Sequence, residues 1–186
     1  DDGGTAVAGD FTLQIDGVTS SSGNSFAGVD APGVDHLLLS IGGYSVGESS
    51  PVGYASSFGP DCAGSIALNE TKTCTVTNND IAPTLTVNKI VIPDTDDGRF
   101  DLRIDGSVAG SGDDVGDGGT TGAVAVSAGG HLVAESAGPD TSLADYIAVI
   151  AGDCAADGSV SLALDDDKVC TITNTKQPKL IVTKVV

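Results

Sequence analysis

The chain has 186 residues, 26 acidic side chains against 8 Lys and Arg, and a formal charge of −18, so nucleic acid and anionic membranes are poor partners and both are excluded as binding targets. No apolar run approaches the roughly 20 residues that span a bilayer, and no leader is visible, so the chain reads as a mature or excised segment. It holds 26 Gly and no Met or Trp, and short alternating runs of Val, Ile, Leu and Thr stand between Gly, Asp, Ser and Asn clusters, which predicts an all-β fold.

Taken in order, the elements occur twice. FTLQIDG at residues 11–17 answers FDLRIDG at 100–106, each a half-buried strand closed by an Asp-Gly turn. Loops rich in Gly, Ser and Asp follow at residues 18–33 and 107–122, and are expected to be exposed. VDHLLLSIGGYSVGESS then answers GAVAVSAGGHLVAESA, each read as a strand, a Gly-Gly turn and a second strand ending in Glu48 or Glu135. YASSFGPDC answers YIAVIAGDC, and GSIALNETKTCTVTN answers GSVSLALDDDKVCTITN. The repeat divides the chain into two tandem β-sandwich modules of about seven strands, residues 1–82 and 83–177, with a C-terminal strand over 178–186.

The stretch linking the modules, CTVTNNDIAPTLTVNKIVI, recurs at the C-terminal end as CTITNTKQPKLIVTKVV. Alternation puts Lys89 on the apolar face with Leu85 and Val87, and Lys184 on that of Leu180 and Val182, with Val186 next on the same face. An inward Lys without a partner is costly, and burial favours its neutral amine. The first module lacks such a strand, the second copy has no module after it, and joining Val186 to Asp1 restores the order seen around Lys89. The expectation is a unit completed by copies of itself, head to tail, with Leu180, Val182, Lys184 and Val186 as strand donor. Two routes remain open: donation between separate chains, or a single long repeat polypeptide.

The four cysteines fall as one pair in each module. Their spacing is neither that of a CxxC metal site nor that of a nucleophile with a local His partner, and two local disulfides, Cys62–Cys74 and Cys154–Cys170, are expected. They imply an oxidising, extracellular location.

The succession of an LTVxK strand, a GxF(D/T)L strand, a YxVxES hairpin strand and a final TxTN strand resembles the Cna B-type domain, also called SpaA-like or prealbumin-like, of bacterial surface stalks and pilins. The resemblance covers nearly the whole chain twice. It implies a structural role and an intramolecular isopeptide bond between a first-strand Lys and a last-strand Asn, assisted by a Glu. Carried onto this sequence, Lys89 is the nucleophile, Asn174 the electrophile and Glu135 the proton shuttle of the second module. For the first module Glu48 and Asn78 are present, while the matching Lys184 could reach Asn78 only in the next unit. The alternative is that each Lys and Glu forms a buried pair beside a hydrogen-bonded Asn.

Other readings are weaker. Asp clusters at Asp94, Asp96 and Asp97, at Asp113, Asp114 and Asp117, and at Asp165, Asp166 and Asp167 could hold calcium. None keeps EF-hand spacing, so solvated turns are preferred and no cofactor or metal is assigned. Asn69, Glu70 and Thr71 form a glycosylation sequon. His36 and His131 read as strand-edge residues. No enzyme motif is present, the one reactive trio acting on the chain itself. The expected function is a structural subunit or repeat unit of an extracellular filament, pilus or stalk. The alternative is an adhesin module recognising a host or surface ligand through residues 18–33 or 107–122.

Overall fold

Each segment forms a strand where its apolar residues alternate and a neighbouring edge is available, and the two units of the chain differ in the second condition. The computed structural model describes residues 2–185. Its two units are Asp1–Ile81 and Ala82–Val186. No helix among the described residues is long and apolar enough to cross a membrane.

In the first unit the strands are β1 (Thr12–Asp16), β2 (Ser25–Ala27), β3 (Gly42–Ser49), β4 (Tyr54–Phe58), β5 (Ala63–Ile66) and β6 (Val76–Asp80). One sheet has the order β2-β1-β3-β5, all antiparallel, with Leu13 opposite Glu48. The other, among the described residues, contains only β4 and β6, with Ser56 opposite Asn78. Phe11, Ile15, Val18 and Cys62 are buried, and the Phe11 ring meets Tyr54 edge-on at 5.3 Å. The incoming chain is tied to the end of β6 by the Asp80 carboxylate, which accepts the amides of Asp2 and Gly4 at 2.7 and 2.9 Å.

The second unit contains β7 (Thr84–Ile92), β8 (Phe100–Ile104), β9 (Ser107–Val108), β10 (Val124–Ala125), β11 (Gly129–Ala137), β12 (Tyr146–Gly152), β13 (Ser159–Leu162) and β14 (Asp167–Lys176). They make two four-stranded sheets, β13-β11-β8-β9 and β10-β7-β14-β12. All pairs are antiparallel except β7 with β14, which run parallel with Lys89 opposite Ile172 and Val91 opposite Asn174. The sheets pack face to face. Leu85, Val87, Cys170 and Ile172 from one meet Leu102, Ile104, Val133, Val160 and Leu162 from the other. Burying a Leu, Val or Phe side chain stabilises by about 1.5–3 kcal/mol, so this core is the main source of the unit's cohesion. The β12–β13 connection requires glycine at 158, where φ is +86° and a Cβ would lie 2.1 Å from the Val133 carbonyl oxygen.

Several expectations are corrected. The Gly42–Gly43 and Gly129–Gly130 pairs do not turn the chain; they open β3 and β11 and pair with β5 and β13. Residues 34–41 were expected to be a strand, yet only Leu38 makes an isolated bridge, to Ser20. Among the described residues the first unit has no strand corresponding to their pairing partner β7. His36 accordingly lies outside any strand, stacked on Phe26 at 3.8 Å between ring centres. Residues 107–122 are not simply an exposed loop. Backbone bonds stitch them to β7 and β8, including Lys89 N to Gly119 O and Leu102 N to Gly112 O, both 2.8 Å, and Ala109 and Thr121 are buried. Residues 177–185 form no strand, and Leu180, Ile181, Val182 and Val185 are each more than four-fifths exposed, at 83 to 89%. Val186 lies outside the described residues.

Candidate functional site

The period-two pattern of LTVNKIVI carries Lys89 inward, and the structure leaves it 1% exposed. Its Nζ lies 2.9 Å from Glu135 Oε2, an ion-pair distance at which the angles do not make a hydrogen bond. The other oxygen, Oε1, accepts from Asn174 Nδ2 at 2.7 Å. Glu135 projects from β11 in the facing sheet, so one carboxylate bridges the amine and the amide of two neighbouring parallel strands. Asn174 is fully buried, and its Oδ1 has no hydrogen-bond partner among the described residues. The Phe100 ring closes the site, its centre 4.2 Å from Lys89 Nζ. Desolvation holds the Lys89 amine below its usual pKa, and the nearby Glu135 carboxylate only partly opposes it. The arrangement therefore places a nucleophile of weakened charge, a proton-bridging carboxylate and a primary amide together, out of water.

The equivalent place in the first unit is incomplete. Asn78 Nδ2 donates to Glu48 Oε1 at 3.0 Å and Ser50 Oγ donates to Oε2 at 2.9 Å. Asn78 Oδ1 is buried without a partner among the described residues. Among the described residues no ion pair there involves Glu48. Lys184 is exposed in the tail. Sequence alone did not reveal Ser50 or Phe100 as neighbours of the carboxylates. Phe100 could have been found from its place one strand after Lys89, but nothing marked Ser50.

Both cysteine pairs are joined, Cys62 to Cys74 and Cys154 to Cys170, with Cα separations of 4.5 and 5.3 Å. The Asp-rich turns are occupied by local hydrogen bonds. Asp96 Oδ1 accepts from the Tyr146 hydroxyl and Gly98 N, Asp117 Oδ1 from Val91 N, and Asp167 Oδ1 from Thr84 Oγ1. Among the described residues no three His, Cys, Asp or Glu side chains are grouped to hold a metal. His131 Nδ1 lies 2.7 Å from Asp105 and Nε2 2.8 Å from the Ser127 carbonyl, so it braces the start of β11. Asn69 of the sequon sits exposed in a turn at φ +64°.

No curated protein matches the chain significantly. Among solved structures it is similar to the major pilin protein T-13 from Streptococcus pyogenes, at 15% identity and TM-score 0.35 over 90% of this chain and 88% of that one. It is similar also to the T3.2 major pilin of the same organism, at 12% identity and TM-score 0.35 over 95% and 93% of the two chains. Residues 1–85 match the SpaA-type family described as a prealbumin-like fold domain. That match supports a SpaA-like prealbumin-like fold for residues 1–85 of this all-β chain.

Proposed function

We propose that the chain is a structural subunit or repeat unit of an extracellular filament, pilus or surface stalk, built of two tandem β-sandwich domains and assembled by strand sharing. One observation carries the reading. The second unit has β7 running parallel to β14, whereas among the described residues the first presents β4 and β6 with no strand beside β6, and the segment from residue 178, which repeats the β7 sequence, forms no strand over residues 178–185. Transferring the β7 register places Val182 opposite Cys74 and Lys184 opposite Val76 of the receiving unit. An open strand edge of this kind is filled by an added strand, whose backbone bonds give affinity and whose alternate side chains give specificity. The two disulfides fit an oxidising location outside the cell.

The same reading assigns covalent chemistry to the buried trio. Lys89 Nζ loses a proton to Glu135 and attacks Asn174 Cγ. The new N–C bond forms as the Cγ–Nδ2 bond breaks; Nδ2 takes the first proton back from Glu135 and departs as ammonia, and Glu135 accepts the second proton that Nζ sheds on becoming an amide nitrogen. The short Glu135 contacts to both amine and amide support this relay. In the first unit Glu48 and Asn78 await Lys184 of a neighbour.

Intact mass after boiling in denaturant with reductant tests the scheme. One chain lighter by one ammonia supports the Lys89–Asn174 bond with noncovalent assembly, and a ladder supports linkage through Lys184. An unmodified single chain removes the isopeptide bonds and leaves strand exchange. Strand sharing is tested separately by sedimentation: Leu180→Asp with Val182→Asp should abolish self-association, and undiminished association would sink it.

A further inference from the structure

The two units differ at one position beside the carboxylate. Aligning GGYSVGESS with GGHLVAESA sets Glu48 against Glu135 and Ser50 against Ala137. In each unit one carboxylate oxygen accepts from the Asn of the last strand, Asn78 at 3.0 Å or Asn174 at 2.7 Å. The other oxygen separates them. Glu135 Oε2 faces Lys89 Nζ at 2.9 Å, whereas Glu48 Oε2 accepts from Ser50 Oγ at 2.9 Å. Ala137 has no side-chain donor to offer. The rest of the cradle is alike in both units. Phe11 is 5% exposed and meets Tyr54 edge-on at 5.3 Å, as Phe100, which closes over Lys89, meets Tyr146 at 5.2 Å. The first unit's sole Lys, Lys72, is engaged elsewhere, 3.0 Å from Glu70. A hydroxyl therefore takes the carboxylate oxygen in the unit without an inward Lys, and an ammonium takes it in the unit that has one.

Resting on the strand-sharing reading, we propose that Ser50 is a stand-in for the absent amine: its hydroxyl holds Glu48 while the acceptor unit is empty, and yields that oxygen to Lys184 Nζ of a second copy of this chain. A carboxylate drawn out of water costs free energy unless it is hydrogen-bonded, so Ser50 keeps the empty site satisfied. An ammonium brings opposite charge as well as a donor to the same oxygen, and so displaces the hydroxyl. Whatever Ser50 contributes to the empty state is subtracted from the binding of the strand. Lys89 belongs to its own unit's chain, and there the equivalent position is Ala137, which has no exchange to make. Ser50 is a positioning residue of the acceptor, outside the reacting trio.

The test uses the full chain carrying Leu180→Asp and Val182→Asp, so that its own tail does not compete, titrated with a synthetic peptide of residues 178–186. Affinity is read from the reversible phase, and intact mass identifies any covalent adduct. Adding Ser50→Ala should lower the denaturant midpoint of the free chain and yet tighten peptide binding by about tenfold. Ser50→Gly removes the same hydroxyl and should do the same, so the outcome does not hang on one variant folding. The gain should vanish with a peptide carrying Lys184→Ala, since nothing then displaces the hydroxyl. A merely structural Ser50 would lower the midpoint without tightening binding, and equal or weaker binding by the variants would overturn the stand-in while keeping strand sharing. An equal gain with both peptides would also overturn it, because the hydroxyl would then oppose the strand rather than the amine. Absence of peptide binding to every acceptor would overturn both readings.

Discussion

Lys89, Glu135 and Asn174 form a set in which each member satisfies or strands the next. A buried charge left without its partner destabilises by about 3–5 kcal/mol, because desolvation is no longer offset. Glu135→Ala is therefore expected to lower the stability of the second unit by about 3 kcal/mol or more, read as a fall in denaturant midpoint, and to leave the mass unmodified. An unshifted midpoint would mean that Lys89 needs no carboxylate. Alternation and repetition made this trio legible in sequence, since a Lys in step with Leu85 and Val87 has nowhere to point but inward. Phe100, which completes the site across the sheets, was not legible as its neighbour, because cross-sheet proximity leaves no local period.

His131 gives the residue scale a pH dependence. Burial disfavours its imidazolium, but the hydrogen bonds it donates to Asp105 and to the Ser127 carbonyl, with the Asp105 charge, together raise its pKa above the usual 6.5. Asp105 is opposed by burial too, yet His131 and the Leu132 amide hold it below 3.8. A raised His stabilises the fold fully below pH 6.5 and loses that contribution as pH climbs through the raised value; the Asp contribution is lost as pH falls below 3.8. The melting temperature should decline from pH 6 to pH 8, and His131→Gln should flatten that slope. An identical slope in the variant would show that the pair does not govern it.

At the scale of elements, the disulfides and the core strands could be read from the sequence, while the edges could not. The Cys154–Cys170 bond closes 16 residues between β12 and β14, and Cys170 itself lies fully buried against the β7 register. Replacing both cysteines by Ser should cost about 3 kcal/mol, measured by denaturation with and without reductant, and a loss below about 1 kcal/mol would mean that the core alone fixes this corner. Residues 34–41 are rich in apolar side chains, yet they pair only through the isolated Leu38 bridge to Ser20 and form no strand, because a strand requires a partner as well as a pattern. Residues 107–122, rich in Gly and Asp, behave in the opposite way. Backbone bonds to β7 and β8 fix a segment whose composition reads as loop.

For the whole molecule, the internal repeat showed a second copy of the β7 sequence from residue 178 onward, but composition could not tell which strand edges stay open among the described residues. The parallel pairing of β7 and β14 adds a consequence for tension. The chain enters the second unit at the Thr84 end of β7 and leaves at the Lys176 end of β14, and in a parallel pair these ends point in opposite directions. A pull along the chain slides one strand past the other, so the ladder from Thr84 to Thr175 resists as a block rather than opening rung by rung. Load passes through the two strands that carry Lys89 and Asn174, and the facing sheet is spared.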